Sequence, residues 1–309
     1  MLKIQLFGKY CVRRGEQALD GLDARKVQEL LCYLLLHRDH ALSRETLASL
    51  LWPETTTALS KKNLRQILWQ LQTALGSQLE TFEERVLVVE PDWVSLNPRV
   101  DLWLDVVVFE QAFETVQRLP GQRLDAQAVQ IVEHAVQLYQ GPLLEGWYQD
   151  WCLTERERLQ SMYLAMLDKL MTFYEARGAY EISLSYGMRI MCYDRARERT
   201  HRQLMRLHYV LGDRAEALRQ YERCTQALDE ELGVAPSKST TLLYKQICAD
   251  QLDDPVTAIV EDDTFPELPS CLLLEVLHYL TSVQETLTDL QDQVQKGIQA
   301  VEMVLSTHL

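Results

Sequence analysis

The chain has 309 residues, 47% hydrophobic and 25% charged, the balance of a soluble globular protein with room for two or three domains. No stretch approaches the roughly 18 to 20 apolar residues of a membrane span, and the apolar run in MLKIQLFGKYCVRRGEQ is too short for a signal peptide, so a cytoplasmic protein with no membrane partner is expected. The formal net charge of −14 is unevenly spread: residues 1–75 hold 11 Lys/Arg against 7 Asp/Glu, while residues 101–309 hold 18 against 33. An acidic body with a mildly basic head points to a polyanion at the head and a different partner for the body.

The first hundred residues mix strand and helix signals. LKIQLF (2–7) alternates polar and apolar residues and YCVRR (10–14) follows after Gly8, which predicts short strands. After Asp23, ARKVQELLCYLLLH runs with helical periodicity to His37. His37 and His40 have a spacing that can hold a metal, but no second pair accompanies them and a turn after the helix is the simpler reading. Ser43 is placed to cap a second helix, with Leu42 and Leu47 at the spacing of a hydrophobic staple, and Trp52-Pro53 ends it. TALSKKNLRQILWQLQTAL (57–75) is a third helix; RVLVV (85–89) and WVSLN (93–97), joined by Glu90-Pro91-Asp92, form a hairpin pattern. Strands, three helices and a hairpin is the order of a winged helix-turn-helix.

Beyond residue 100 the pattern is almost wholly helical, with segments near 105–118, 125–140, 154–177, 180–193, 196–211, 213–231 and 236–249. Gly178 and Gly212 lie 34 residues apart, as do Leu170 and Leu204, which is the tetratricopeptide period. The second copy fits with Ala217 and Tyr221; the first has Ser183 and Gly187 at those places. Residues 251–270, rich in Asp and Pro, read as a linker. In 271–309, Leu273, Val276, Leu280, Val283, Leu287, Leu290, Val294, Val301 and Val304 make a heptad stripe interrupted at Gly297. It suits either a helix docked on the repeat domain or a dimerising coiled coil. The expected fold is mostly α: an α+β winged helix (1–100), a tetratricopeptide-like helical domain (101–250), the linker and a long C-terminal helix.

Within the third helix, Leu64, Ile67, Leu68, Leu71 and Leu75 recur at helical spacing as a buried stripe. Lys62, Gln66, Trp69 and Thr73 fall opposite, with Lys61 and Arg65 on one flank and Asn63 and Gln70 on the other. Lys and Arg neutralise phosphates or pair with guanine, and Asn and Gln read adenine. Trp69 suits a sugar stack, a thymine methyl or a place under the wing. A basic surface helix that serves solubility has the same pattern; the staple-capped helix before it and the hairpin after it favour DNA.

The run from Ala24 to Gly76 resembles the DNA-binding domain of SARP-type bacterial regulators, which join an OmpR-type winged helix to a bacterial transcriptional activator domain. LYQGPLLEGWYQDWCLTERERLQ (138–160) and LGDRAEALRQYERCTQALDEELGVAPSKST (211–240) resemble that activator domain. The likeness covers residues 1 to about 250 and implies a transcription regulator, usually an activator, whose winged helix binds double-stranded promoter DNA and whose helical domain dimerises or contacts RNA polymerase. By position it makes 58–75 the recognition helix. It puts Arg44 and Trp52, at the two ends of the second helix, near the phosphate backbone, although Trp52 equally suits the core. The candidate DNA-contacting set is therefore Arg44, Trp52, Lys61, Lys62, Asn63, Arg65, Gln66, Trp69 and Thr73.

The chain departs from the family where Gln70-Leu71-Gln72-Thr73 replaces a basic run, and where the wing tip is Glu90-Pro91-Asp92 with Glu80, Glu83 and Glu84 before it. Fewer phosphate contacts mean weak binding by one head, which a homodimer would offset through effective concentration. An interaction scaffold whose winged helix has lost DNA binding is the alternative. An enzyme is not expected: there is no Walker, GxGxxG or GxSxG motif, no cofactor signature, and the seven cysteines are nowhere closer than 21 residues. Asp194 and the ERERL cluster (155–159) read as surface or helix-capping charges.

Overall fold

The computed structural model describes residues 1–76 and 85–252. The head opens with β1 (Leu2–Gln5), β2 (Cys11–Arg14) and β3 (Gln17–Ala18), in which Leu2, Ile4 and Val12 point inward. Then come α1 (Arg25–Leu36), β4 (Leu42–Ser43), α2 (Arg44–Leu51), α3 (Thr57–Ala74), β5 (Leu87–Val89), β6 (Trp93–Leu96) and β7 (Leu102–Leu104). Two sheets result, in the orders β3-β2-β1-β7 and β4-β6-β5. The second is the wing, in antiparallel register from Leu87↔Leu96 to Val89↔Val94, with Leu42↔Val94 joining the start of α2 to it. The first is completed by β7, parallel to β1 and past the wing, with Leu2 opposite Leu102.

The remainder is helical: α4 (Asp105–Val116), a short 3-10 turn at Gly121–Arg123, α5 (Ala126–Leu138), α6 (Asp150–Glu175), α7 (Tyr180–Met191), α8 (Glu198–Val210), α9 (Arg214–Leu232) and α10 (Lys238–Ala249). The pairs α6–α7 and α8–α9 are antiparallel hairpins, and Gly178 and Gly212 turn both with left-handed backbone (φ +72° and +81°) that a side chain would strain. The less regular copy is fitted to its neighbours. Ser183 is fully buried and donates its hydroxyl to the Met171 carbonyl at 2.8 Å. A Cβ on Gly187 would come within 2.6 Å of the Leu204 side chain and 2.9 Å of that of Met171, so a larger residue would make these buried side chains shift. Met1–Gln251 form one compact unit. The stretch 253–309, with most of the expected linker and all of the heptad stripe, lies outside the described residues. Among the described residues no helix is long and apolar enough to cross a membrane.

Head and helical part share one core. Asp105, the first residue of α4, is buried, and its Oδ2 accepts from the Leu6 and Phe7 amides at 2.8 and 3.0 Å while Oδ1 accepts from the Val106 amide at 2.8 Å. Gly8 donates to the Pro142 carbonyl and Leu144 to the Leu6 carbonyl, so the chain leaving β1 pairs with the loop before α6. The Phe7 ring sits 4.9 Å from both Phe109 and Tyr139. Arg156 holds that loop, its guanidinium donating to the carbonyls of Leu143, Leu144 and Trp147 at 2.9–3.0 Å. Arg158 bridges Glu155 and Glu110, and Arg38 after α1 reaches Glu110 at 2.6 Å. These two members of the ERERL cluster are therefore internal anchors, where the sequence suggested surface charge.

Burial pushes the Asp105 carboxyl up to about 6, against the pull of its backbone hydrogen bonds. The folded chain thus binds this proton more tightly than the unfolded chain. The contribution is full below about pH 3.8 and is lost as pH rises through about 6, on the order of 3 kcal/mol in all. Asp105→Asn should remove that dependence: urea unfolding at about pH 4 and about pH 7 should show the variant losing less stability than wild type as pH rises. A wild-type-to-variant difference that is the same at both pH values contradicts the assignment.

Candidate nucleic-acid interface

The staple and cap predicted for α2 are present. Leu42 and Leu47 are both buried, and Ser43 Oγ accepts from the Glu45 and Thr46 amides at 3.2 and 3.4 Å. Because Ser43 also pairs with Trp93 in the wing, the start of α2 is fastened to β6. Arg44 tightens this junction: its amide donates to the Asp92 carbonyl at 2.9 Å and Nη1 to the Glu90 carbonyl at 3.2 Å. Across the tip, Glu90 N donates to the Trp93 carbonyl at 2.9 Å and closes the turn.

Beside α2 runs α3, seated by Leu64, Ile67, Leu68 and Leu71, all buried, with Leu75 just past its end buried as well. This stripe turns Lys61, Lys62, Arg65, Gln66, Trp69 and Thr73 outward, while Asn63 is half-buried. Trp69 is 61% exposed, which rules out packing under the wing. Thr73 Oγ1 donates to the Trp69 carbonyl at 2.9 Å, so its hydroxyl proton is spent within the helix. Lys61 Nζ is paired with the Glu45 carboxylate on α2. That hydrogen bond and charge hold Glu45 below the usual carboxylate range. Lys62 and Arg65 have no ion-pair partner among the described residues. The outward face thus unites Lys62, Arg65, Gln66 and Trp69, flanked by a neutralised Lys61.

The other two candidates lie at the ends of α2. Arg44 is engaged with the wing backbone, and Trp52 is half-buried against the core, its carbonyl accepting from Thr55. Two residues outside the candidate set belong to the same surface. Trp93, 48% exposed, begins β6; its alternation with buried Val94 was the available signal. Glu45 faces Lys61 from 16 positions earlier in the chain, a pairing that only the crossing of α2 and α3 creates.

A second concavity, of about 720 Å³, opens between α7 and the α8–α9 hairpin, with Leu184, Met188, Met191, His208 and Arg223 among its walls. On its floor His201 Nδ1 meets the Gln220 amide nitrogen at 2.8 Å and Nε2 meets the Arg195 carbonyl at 2.8 Å. An amide nitrogen donates and a carbonyl accepts, so the ring is neutral with its proton on Nε2, and burial lowers its pKa. His37 and His40 lie in the turn after α1, where His37 stacks on Tyr33 at 4.1 Å. Among the described residues no group of three or more His, Cys, Asp or Glu is arranged to hold a metal.

Residues 104–248 match the bacterial transcriptional activator domain. Over 228 residues, 73% of each chain, the protein is 25% identical to the transcriptional regulatory protein MoaR1 of Mycobacterium tuberculosis, and equally to that of Mycobacterium bovis. Among solved structures it is similar in fold to Mycobacterium tuberculosis EmbR in complex with a low affinity phosphopeptide. The TM-score there is 0.62 at 19% identity, covering 83% of this chain and 67% of that one.

The two tryptophans of this surface should separate on mutation. Trp52→Ala removes a ring packed on the core and should cost on the order of 2–4 kcal/mol in denaturant unfolding, whereas Trp69→Ala should stay within about 0.5–1 kcal/mol. Equal losses would mean that Trp69 is a packing residue.

Proposed function

We propose that this chain is a SARP-type transcriptional regulator, a reading supported by the match of residues 104–248 to the bacterial transcriptional activator domain and by the likeness to MoaR1, and that it binds double-stranded promoter DNA with the outward face of α3. The observation that carries this reading is the combination on α3: a buried apolar stripe on one side, and on the other Lys62 and Arg65 free of ion pairs among the described residues, beside Gln66 and an exposed Trp69. Lys62 and Arg65 supply phosphate or guanine contacts, Gln66 reads an adenine edge, and Trp69 stacks on a sugar or meets a thymine methyl. Asn63, half-buried, reaches the groove from its rim. Arg44 stays fastened to the wing tip and positions it, and Trp52 supports α2 from the core side.

Residues beyond about 100 take the protein partners in this reading. RNA polymerase or another protein meets the helical domain, for which the concavity beside α7 offers a recess. A homodimer formed through Leu273, Val276, Leu280, Val283, Leu287, Leu290 and Val294 supplies the second head. Action on promoter DNA implies a cytoplasmic setting. The interaction-scaffold reading keeps one specific observation in its favour, the exposed Glu90 and Asp92 at the wing tip, where phosphate is repelled.

The test is a salt series on the purified chain with a duplex of its own promoter region. Wild type should bind with affinity falling steeply with salt, and Lys62→Ala/Arg65→Ala should lower the magnitude of the log–log slope by about 2. A folded wild-type chain that fails to bind at low salt rejects the DNA reading. Sedimentation of a chain ending at residue 250 tests the dimer: the full chain should be dimeric and the truncated one monomeric, and equal stoichiometry rejects the heptad pairing.

A further inference from the structure

The ion pair between α2 and α3 stands at the point where the proposed DNA surface begins. Glu45 is in the first turn of α2, its side chain 74% exposed; Lys61 is in the first turns of α3, its side chain 45% exposed. Neither is needed to seal the core. Ser43 Oγ already serves the α2 amides, and the buried stripe of α3 does not include Lys61. Lys61 nonetheless gives its ammonium to a carboxylate on the neighbouring helix, whereas Lys62 and Arg65 have no such partner among the described residues. Glu90 and Asp92 of the wing tip are exposed as well, and their backbone carbonyls hold Arg44. The leading edge of the surface is therefore charge-balanced, and the excess positive charge starts one residue later, at Lys62.

We infer that Glu45 is a built-in competitor of DNA phosphate for Lys61, an autoinhibitory contact that sets how weakly a single head binds. The inference rests on the reading of α3 as the DNA-contacting helix. A phosphate that approaches Lys61 must displace the carboxylate or share the ammonium with it, and the pair together brings no net charge to the polyanion. Counterion release counts net neutralisation, so the pair contributes almost nothing to the salt dependence. An exposed ion pair is weak in water, so the carboxylate acts as a threshold that a second head can overcome by effective concentration, and not as a permanent block.

The consequence is quantitative. Glu45→Gln should free Lys61, raise affinity and steepen the log–log salt slope by about 0.9. The gain in affinity should therefore shrink about 3-fold between about 50 and about 200 mM salt. Lys61→Gln alone leaves the carboxylate facing the backbone and should weaken binding, and Glu45→Gln/Lys61→Gln should return to the wild-type slope. The probe is a fluorescein-labelled mixed-sequence duplex with the full chain, and each variant's unfolding midpoint is recorded beside it. If Glu45→Gln binds tighter with the steeper slope and the double variant reverts, the competitor role stands. If folded wild type fails to bind at low salt, the DNA reading falls and the competitor role falls with it. If wild type binds, Lys62→Ala/Arg65→Ala abolishes binding and Glu45→Gln changes neither affinity nor slope, the competitor role is wrong while the DNA reading survives. If neither wild type nor Glu45→Gln binds while both remain folded, both fall.

Discussion

One buried carboxylate ties the head to the start of the helical part. Asp105 ends the parallel strand β7 and begins α4, and from there it takes the amides of Leu6 and Phe7, which leave the end of β1 with no sheet partner of their own. Buried amides require an acceptor, and a missing one costs about 1–3 kcal/mol each. The acceptor supplied here is itself hard to bury, which is why its pKa is high. Leu6–Gly8 therefore has α4 bound on one side and the loop 142–145 on the other, and the last strand of the head and the first helix of the body cannot separate without exposing both.

That junction gives α3 a definite attitude toward the helical repeats. Arg25 of α1 lies 3.7 Å over the Trp147 ring, Gln149 donates to buried Glu29, and Tyr33 meets Trp151 edge-on at 5.4 Å, so α1 is gripped by the segment that enters α6. α3 packs on α1 and α2 within the same core. A partner seated near α7 would thus act on a body to which α3, the proposed DNA-contacting helix, is joined by packed side chains, without an intervening free linker.

The parts that were legible in the sequence are those with a local period. The stripe Leu64–Leu75, the Leu42/Leu47 staple, the β5–β6 hairpin and the two glycines 34 residues apart all depend on neighbours within a turn or a strand. What was not legible depends on long-range closure. β7 is a run of three residues whose partner is a hundred positions away, and an isolated short strand carries no periodic signal. Asp105 stood in the sequence only as the start of a helical segment, and its partners, the Leu6 and Phe7 amides, lie about a hundred positions earlier. Ser183 and Gly187 looked like decay of the repeat; one back-bonds to α6 and the other removes a Cβ from the path of Leu204. In the candidate surface, periodicity put Lys62 outward and Lys61 on its flank, both of them exposed in the fold, yet the candidate set counted the two alike. Their difference is set by Glu45, on another helix.

The acidity of the chain and the basic face of α3 then belong to one electrostatic arrangement. Asp and Glu dominate the body and reach the wing tip, where Glu90 and Asp92 are exposed, so the acidic body and wing tip repel a polyanion while the outward face of α3 from Lys62 to Trp69 carries positive charge uncompensated among the described residues. A narrow attractive strip on a repulsive body discriminates against non-specific DNA, because non-specific affinity scales with the number of phosphates neutralised. The base-edge contacts proposed for Gln66 and the stacking proposed for Trp69 would lose nothing by that subtraction, since these side chains carry no charge. Reducing the electrostatic share of binding therefore raises the share that depends on sequence. In a chain so acidic, placing Glu45 against Lys61 moves the helix further in that direction.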